Sequence, residues 1–442
     1  MERYEKYKPI GLEWIGEIPE HWEVKKLKYI AESNPSNIDK KSKDEEEEIF
    51  LCNYVDIYKN EFIKSGMNFM KATASKEQIK KFILQKGDVI LTKDSESAND
   101  IGIPAFITET FDDVVCGYHL THIKPVNING EYLFRQFQCK FQQSYFEISA
   151  NGVTRYGLGT DKFDSALIII PPSSEQIHIT AYLDRKTAEI DQIIANKQKL
   201  IALYEVEKQA VINQAVTRGV NPNVRFKPSG VEWLGDIPEH WEVKRLKYLT
   251  QFIKDGTHGS FNRISKGYRL LSVRNIVDNI FKFLDDDSMI SEDDFLTITK
   301  PFFVQENDIQ LAIVGATLGK IGMVPKLEEK FATQRSVATL RTIEGILNCK
   351  YLYYFMRSSS FQNFLWLHAG FSAQPGLYLG TLQNSYATIS PIYEQHKIID
   401  YIEQEFVRLN TIIEKCKKQI ELLKEYRTTL ISEVVTGKVK VI

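Results

Sequence analysis

Polar loops punctuated by glycine carry the side chains of this chain best suited to chemistry at a ligand surface. In the first half they are Thr92-Lys93-Asp94-Ser95 and Thr154-Arg155-Tyr156. In the second they are Asp255-Gly-Thr-His258-Gly-Ser260, Arg263, Arg274, Gly319-Lys320, Gln334-Arg335 and Gln374. Arg, Lys, Gln, Ser, Thr, Tyr and His in such loops hydrogen-bond the edges of nucleobases or hold phosphates. Lys93, Ser95, Thr154, Arg155, Tyr156, His258, Arg263, Arg274, Lys320, Arg335 and Gln374 are therefore the candidate contacts to a nucleic acid. Taken singly, each is more often an ordinary surface charge.

Other chemistries lack their residues. A phosphate-cradling loop needs G-x-x-x-x-G-K-[ST], and Gly315-Ala-Thr-Leu-Gly319-Lys320-Ile321 is one residue short and ends in Ile. An amino-methyltransferase needs an aromatic Pro-Pro tetrapeptide, whereas Asn34-Pro35 and Asn221-Pro222 are not followed by a second proline. No G-x-S-x-G or H-E-x-x-H occurs. His119 and His122 are close in sequence, but on a strand they point to opposite faces, which excludes a shared metal. The five cysteines (Cys52, Cys116, Cys139, Cys349, Cys416) are scattered without C-x-x-C and read as buried thiols. No catalytic residue, metal site or cofactor site is expected.

Bulk properties set the class. The 442 residues, 43% of them apolar, suffice for two or three domains with real cores. No run approaches the roughly 20 apolar residues of a membrane span, and the polar start MERYEKYKPIG lacks a signal-peptide pattern. A cytoplasmic protein is expected. A net charge of −2 argues against a chain whose whole face is a nucleic-acid footprint. It does not exclude contact at local patches, because attraction to phosphate is set within about 10 Å. The acidic run Asp44 to Glu48 reads as a solvated loop.

The elements that must position these loops come in duplicate. Residues 8–30, KPIGLEWIGEIPEHWEVKKLKYI, and 227–249, KPSGVEWLGDIPEHWEVKRLKYL, are identical at 17 of 23 positions. At the same offset of 219 residues, Pro172-Ser-Ser-Glu175-Gln176 matches Pro391-Ile-Tyr-Glu394-Gln395, and Val216-Thr217 matches Val435-Thr436. The bodies between diverge but keep an outline, with 86–106 over 306–326 and Thr154-Arg-Tyr-Gly157-Leu158 over Ala373-Gln-Pro-Gly376-Leu377. Similar frames with dissimilar bodies suggest one scaffold presenting two different surfaces, the alternative being neutral drift between the halves.

After each Glu-Gln, apolar residues recur at alternating spacings of four and three, a heptad seam. In the second half it runs Ile402, Phe406, Leu409, Ile413, Cys416, Ile420, Leu423, Arg427, Leu430, Val434. In the first it runs Leu183, Thr187, Ile190, Ile194, Lys197, Ile201, Tyr204, Lys208, Val211, Ala215. The apolar members are expected to form a helix–helix interface, antiparallel if a pseudo-dyad relates the repeats. The alternative is that each helix packs on its own body. Ser173 with Gln176 suggests a capping box, and Gly219 and Gly437 mark the helix ends. Forty residues of helix span about 60 Å.

Within the bodies, strands are expected at Ile49–Val55, Asp88–Thr92, Ile101–Ile107, His119–Lys124 and Ala166–Ile170, then Tyr268–Val273, Asp308–Val314, Lys320–Val324, Ser336–Arg341 and Tyr386–Ile389. Helical patterns cover Gly130–Ser149 and Gly345–His368, with aromatic stripes that read as core. The fold class is α+β: two mixed domains in pseudo-twofold tandem repeat with two long helices. The expected division is 1–172, a spacer helix at 173–219, a second domain at 220–391 and a second spacer helix at 392–442.

Several motifs together resemble the specificity subunit of Type I restriction–modification enzymes. They are EWIGEIPEHWEV and EWLGDIPEHWEV, the two Pro-x-x-Glu-Gln helix starts, Ala215-Val-Thr-Arg218-Gly219, Val434-Val-Thr436-Gly437, Asp255-Gly-Thr-His258 and the Gly87-Asp88 strand. The match covers nearly the whole chain; one departure is Asn307-Asp308 in place of Gly-Asp. The resemblance implies two target-recognition domains, each reading half of an asymmetric bipartite site on double-stranded DNA. It implies helices paired as an antiparallel coiled coil that sets the gap. It also implies a non-catalytic chain that docks two methyltransferase and two restriction subunits, to which the S-adenosylmethionine, ATP and Mg chemistry belongs. An orphan recognition protein, or the recognition part of a fused enzyme, is the alternative.

Overall fold

Two helices organise the chain, Ser173–Arg218 and Ile392–Val435. The computed structural model describes residues 2–11, 15–327, 329–370 and 375–441. It separates into two compact units, 1–197 with 417–442, and 198–416. The units cut across the linear segments read from sequence, because each takes one portion of each long helix.

In the first unit a five-stranded sheet has the spatial order Ala31–Pro35, Leu120–Pro125, Val89–Thr92, Pro104–Ile107, Phe62–Ile63. All neighbours are antiparallel except the last pair. A three-stranded sheet, Val114–Cys116, Glu47–Cys52, Met70–Ala74, packs beside it around Leu51, Ile63, Leu84 and Ile107. The second unit repeats this plan. Its larger sheet runs Thr250–Asp255, Val337–Thr342, Ile309–Ala312, Ile321–Met323, then two short strands at Ile280–Phe281 and Ile276–Val277. Tyr268–Leu271 lies between Met289–Ile290 and Phe331–Thr333.

The repeated frame explains its own residues. In each unit the segment after PEHW forms a strand, Glu23–Lys26 or Glu242–Arg245, paired antiparallel with the strand before the long helix, Leu167–Ile170 or Tyr386–Ile389. Trp22 and Trp241 beside it are fully buried. Glu175 receives the Trp22 indole N–H at 2.9 Å and the Tyr4 hydroxyl at 3.0 Å, and lies 2.7 Å from His21. Glu394 lies 2.8 Å from His240. The frame histidines therefore tie the opening segment to a helix start.

Gln176 does not close a capping box with Ser173. Its amide donates to Pro171 O and accepts from Asn129 N, and Gln395 repeats this with Ser390 O and Asn348 N. A buried amide that satisfies backbone on two segments outcompetes a local cap.

Each helix ends on a glycine with positive φ, Gly219 at 75° and Gly437 at 72°. A Cβ on Gly437 would sit 2.4 Å from Pro19 and 3.0 Å from the Trp22 ring, and one on Gly219 would sit 3.3 Å from the Trp241 ring. Glycine is required there for both conformation and space.

Within each unit the helix portions run antiparallel. In the first, Lys197 Nζ donates to Gln419 at 2.7 Å, and Arg427 Nη2 reaches Glu61 at 2.7 Å and Asp191 at 3.3 Å. In the second, Arg408 Nη2 meets Glu207 at 2.8 Å. Of the seam, Leu183, Ile190, Ile194, Ile402, Leu409, Ile413, Ile420 and Leu430 are buried, whereas Ile201, Tyr204, Val211, Phe406 and Leu423 are half-buried. Ile402 joins the second unit's core, with Val211 and Phe406 packed against it, so the seam also serves the globular body.

Several expectations needed correction. The strand expected to reach Val55 stops at Cys52, because Asn53 and Asp56 form a capping box that starts the helix Tyr54–Lys59. Glu47 and Glu48 are not loop but open that strand, paired with Thr73 and Ala74. The pattern Gly130–Ser149 is two helices broken at Cys139 (ψ 148°), and Gly345–His368 contains two broken at Ser358 (ψ 146°). The strand expected from Ile101 begins at Pro104, after a turn at Ala98–Asp100. Cys349 is only half-buried, unlike the other four thiols. Asn307 takes the left-handed conformation (φ 69°) that Gly87 takes (φ 97°), so the turn survives the substitution.

Candidate nucleic-acid interface

In the first unit the candidate residues meet at one end of the larger sheet. Asp94–Ser95 continues the line of Val89–Thr92 and pairs with Tyr156–Gly157. Asn151 and Gly157 exchange two backbone hydrogen bonds, at 3.0 and 2.8 Å, closing residues 151–157 into a tight loop. Val153 at its tip is 90% exposed, and Thr154 is exposed beside it. Leu158 N donates to Lys93 O at 2.8 Å and Lys93 N donates to His119 O at 3.0 Å. Lys93, Ser95, Thr154, Arg155 and Tyr156 are thereby brought together.

Asp94 is the electrostatic centre of this cluster. Its Oδ1 accepts from Arg155 Nη2 at 2.6 Å and lies 2.7 Å from His119 Nδ1. Tyr54 and Tyr118 pack their rings edge-on to His119, with centroids 5.7 and 5.1 Å away. Both tyrosines are close to half exposed. Lys93 is less available than its sequence context suggests. Its ammonium donates to Ser36 O at 2.7 Å and lies 4.5 Å from the Tyr118 ring centre. Burial pushes its pKa down, with Asp94 working the other way.

His119, Tyr54 and Tyr118 join this candidate cluster without having been singled out from sequence. Their one sequence signal is Gly117, before Tyr118-His119, where a Cβ would meet Cys52 O at 2.7 Å. His122 faces the other way, buried and 2.6 Å from Asp88, and burial holds its imidazolium form down. The two histidines thus serve separate carboxylates.

The second unit gathers a different set at the equivalent sheet end. Thr257 bridges to Gln334, and Arg335 N donates to Thr257 O at 3.0 Å, so the His258 and Arg335 loops adjoin. His258 lies 2.6 Å from Asp255. Beneath them a cavity of about 420 Å³ is lined by Phe261, Phe302 and Phe303 among others. Arg335 and Lys320 are exposed, with no ion pair among the described residues.

Arg263 donates to Phe261 O at 3.1 Å. Arg274 is held by both oxygens of Asp286, at 2.8 and 2.9 Å, and by Asp287, so its guanidinium is already engaged. Gln374, and Ala373 of the same frame, lie outside the described residues. Among the described residues no group of three or more His, Cys, Asp or Glu is placed to hold a metal ion. No described helix is long and apolar enough to cross a membrane.

Comparison with known proteins agrees along almost the whole chain. A family model described as Type I restriction modification DNA specificity domain matches residues 19–203 and again 238–422. The Type I restriction enzyme MjaVIII specificity subunit of Methanocaldococcus jannaschii is 22% identical over 436 residues, covering 96% of this chain and 94% of that protein. The EcoBI specificity subunit of Escherichia coli is 26% identical over 302 residues, covering 67% and 63%.

The crystal structure of the HsdS subunit from Thermoanaerobacter tengcongensis has a similar fold, with TM-score 0.55 at 15% identity over 96% of this chain and 98% of that one. A chain from a solved type I R-M system reaches TM-score 0.68 at 14% identity, over 96% and 99%. Two family matches in tandem, at the spacing of the repeated frame, show that the chain belongs to the DNA specificity subunits of type I restriction–modification enzymes.

Proposed function

We propose that each unit reads one part of a bipartite, asymmetric DNA site, and that the chain carries methyltransferase and restriction subunits to that site. One observation carries this reading. The two units share the frame, the order of five strands of the larger sheet and the register of its central pair, yet present unlike polar groups at the same sheet end. The first offers Arg155, His119 and two tyrosines around Asp94; the second offers Arg335, Lys320 and His258. Similar scaffolds with different contact chemistry suit two different half-sites.

The chain itself does no bond chemistry in this reading. S-adenosylmethionine, ATP and Mg are used by the partner subunits, and the protein works in the cytoplasm, where the DNA is. The long helices, each of which contributes residues to both units, set the nonspecific spacer.

The test is an exchange of residues 31–165 for the matching body of another specificity subunit, followed by mapping of methylated motifs in cells. One half of the motif is expected to change while the other and the spacer stay. A change in both halves, or in neither, refutes the assignment of one half-site to each unit.

A further inference from the structure

We propose that Arg155 reads a guanine in the half-site of the first unit, and that Asp94 and His119 are positioning residues that aim its guanidinium. The inference rests on the reading of this chain as two DNA readers and names the base contact of one of them.

The geometry leaves the right part of the side chain free. Among the described residues only Nη2 of Arg155 is bound, by Asp94 at 2.6 Å, with the His119 ring nitrogen 2.9 Å away. The Arg155 side chain is 58% exposed while Asp94 is 17% exposed, so the carboxylate is the more deeply set partner and most of the arginine side chain is open to a ligand. A planar fork with two free donors matches the two acceptors, O6 and N7, that guanine shows in the major groove. Tyr54 and Tyr118 pack against His119 and keep the imidazole in place.

The loop is built around this residue. Gly152 has φ +144°, and a Cβ there would lie 1.9 Å from Arg155 O. Only glycine lets the chain fold back so closely, and the backbone pairing of Asn151 with Gly157 holds it shut. A side chain fixed before binding loses less conformational freedom on contact.

Charge decides between base and backbone. A phosphate placed on the free side of the fork would bring a second anion toward Asp94, whereas a base edge carries no net charge. The Arg155–Asp94 pair is itself neutral, so it adds little to the salt-dependent attraction that drives nonspecific binding. In the strand register, Val314 stands where Asp94 does, so the second unit lacks this buttress.

The test is sequence selection from a randomised duplex, using the full chain assembled with its methyltransferase subunit. Wild-type protein should enrich a motif with a G·C pair in the first unit's half. Arg155→Ala should lose roughly tenfold or more of the preference at that one pair and keep the rest of the motif. Arg155→Lys, which keeps the charge but not the fork, should behave like alanine. Asp94→Asn should blur the same position while raising affinity for unrelated duplex.

Uniform weakening of all duplexes by Arg155→Ala, with the motif intact, would mean a phosphate contact and overturns the proposal. An unchanged motif and affinity would mean a mere surface ion pair and also overturns it. No motif from wild-type protein would instead overturn the DNA-reading function on which the proposal stands.

Discussion

The Trp22 indole donates to Glu175 Oε2 at 2.9 Å across 153 residues of chain, locking the opening segment of the first unit to the start of its long helix. Tyr4 and His21 share the same carboxylate. The second unit keeps only part of this arrangement. His240 meets Glu394, but Trp241 Nε1 is buried without a partner among the described residues. Glu175→Ala therefore strands a buried donor that Glu394→Ala does not. We expect Glu175→Ala to cost about 1–3 kcal/mol, and Glu394→Ala distinctly less. Hydrogen exchange at Glu23–Lys26 and at Glu242–Arg245 reads the two units separately. Equal losses would show that the indole bond contributes nothing.

A second difference between the repeats predicts a pH effect. Lys350 pairs with Glu403 at 2.6 Å in the second unit. At the matching positions the first unit has two acids, Glu131 and Asp184. Burial first, then Asp184, push Glu131 up to about 7 against a nearby Arg135. A carboxyl raised on folding holds its proton longer than the unfolded chain does. Stability is therefore present below about pH 4.5 and lost as pH climbs toward 7. Glu131→Gln removes that loss. It should stabilise the first unit at pH 8, by less than about 1 kcal/mol given the partial exposure of the pair. The gain should vanish near pH 4, as measured by unfolding across pH. A pH-independent gain would assign the effect to packing.

The long helices and the duplicated frame were legible in sequence because their signals are local: heptad spacing, terminal glycines, identical words. The breaks at Cys139 and Ser358 were not, since the apolar periodicity continues through both and only the backbone turns. The candidate cluster was half legible. Lys93, Arg155 and Tyr156 stand in polar loops, but Asp94 meets Arg155 across 61 residues, and His119 enters from a third segment. Nothing in the local pattern distinguishes Arg274, tied to two aspartates, from Arg335, which has no ion pair among the described residues; tertiary pairing decides which cation remains available.

Arg427 interrupts the apolar seam because it has a task there. It bridges Glu61 of the body and Asp191 of the partnering helix, with only 16% of its side chain exposed. Arg427→Leu would restore the heptad pattern but leave two carboxylates without their shared cation. We expect a net cost of about 1–2 kcal/mol, discounted for the exposure of Asp191, and faster hydrogen exchange in 186–197 and 420–432. A stabilised protein would show that the seam prefers leucine and that the ion pairs are incidental.

Gly152 gives a way to disturb the proposed reading loop without touching any proposed contact group. Alanine there must either leave φ +144° or displace the Arg155 carbonyl, since its Cβ would fall 1.9 Å away. The loop tip is exposed and distant from the sheet core, so the strain is relieved by opening the loop rather than unfolding the unit. Gly152→Ala should therefore lower thermal stability by only a few degrees, yet weaken the preference at the same base pair that Arg155→Ala affects. If Gly152→Ala leaves the motif intact while Arg155→Ala alters it, the guanidinium reads without help from the closed loop, and preorganisation is not part of the mechanism.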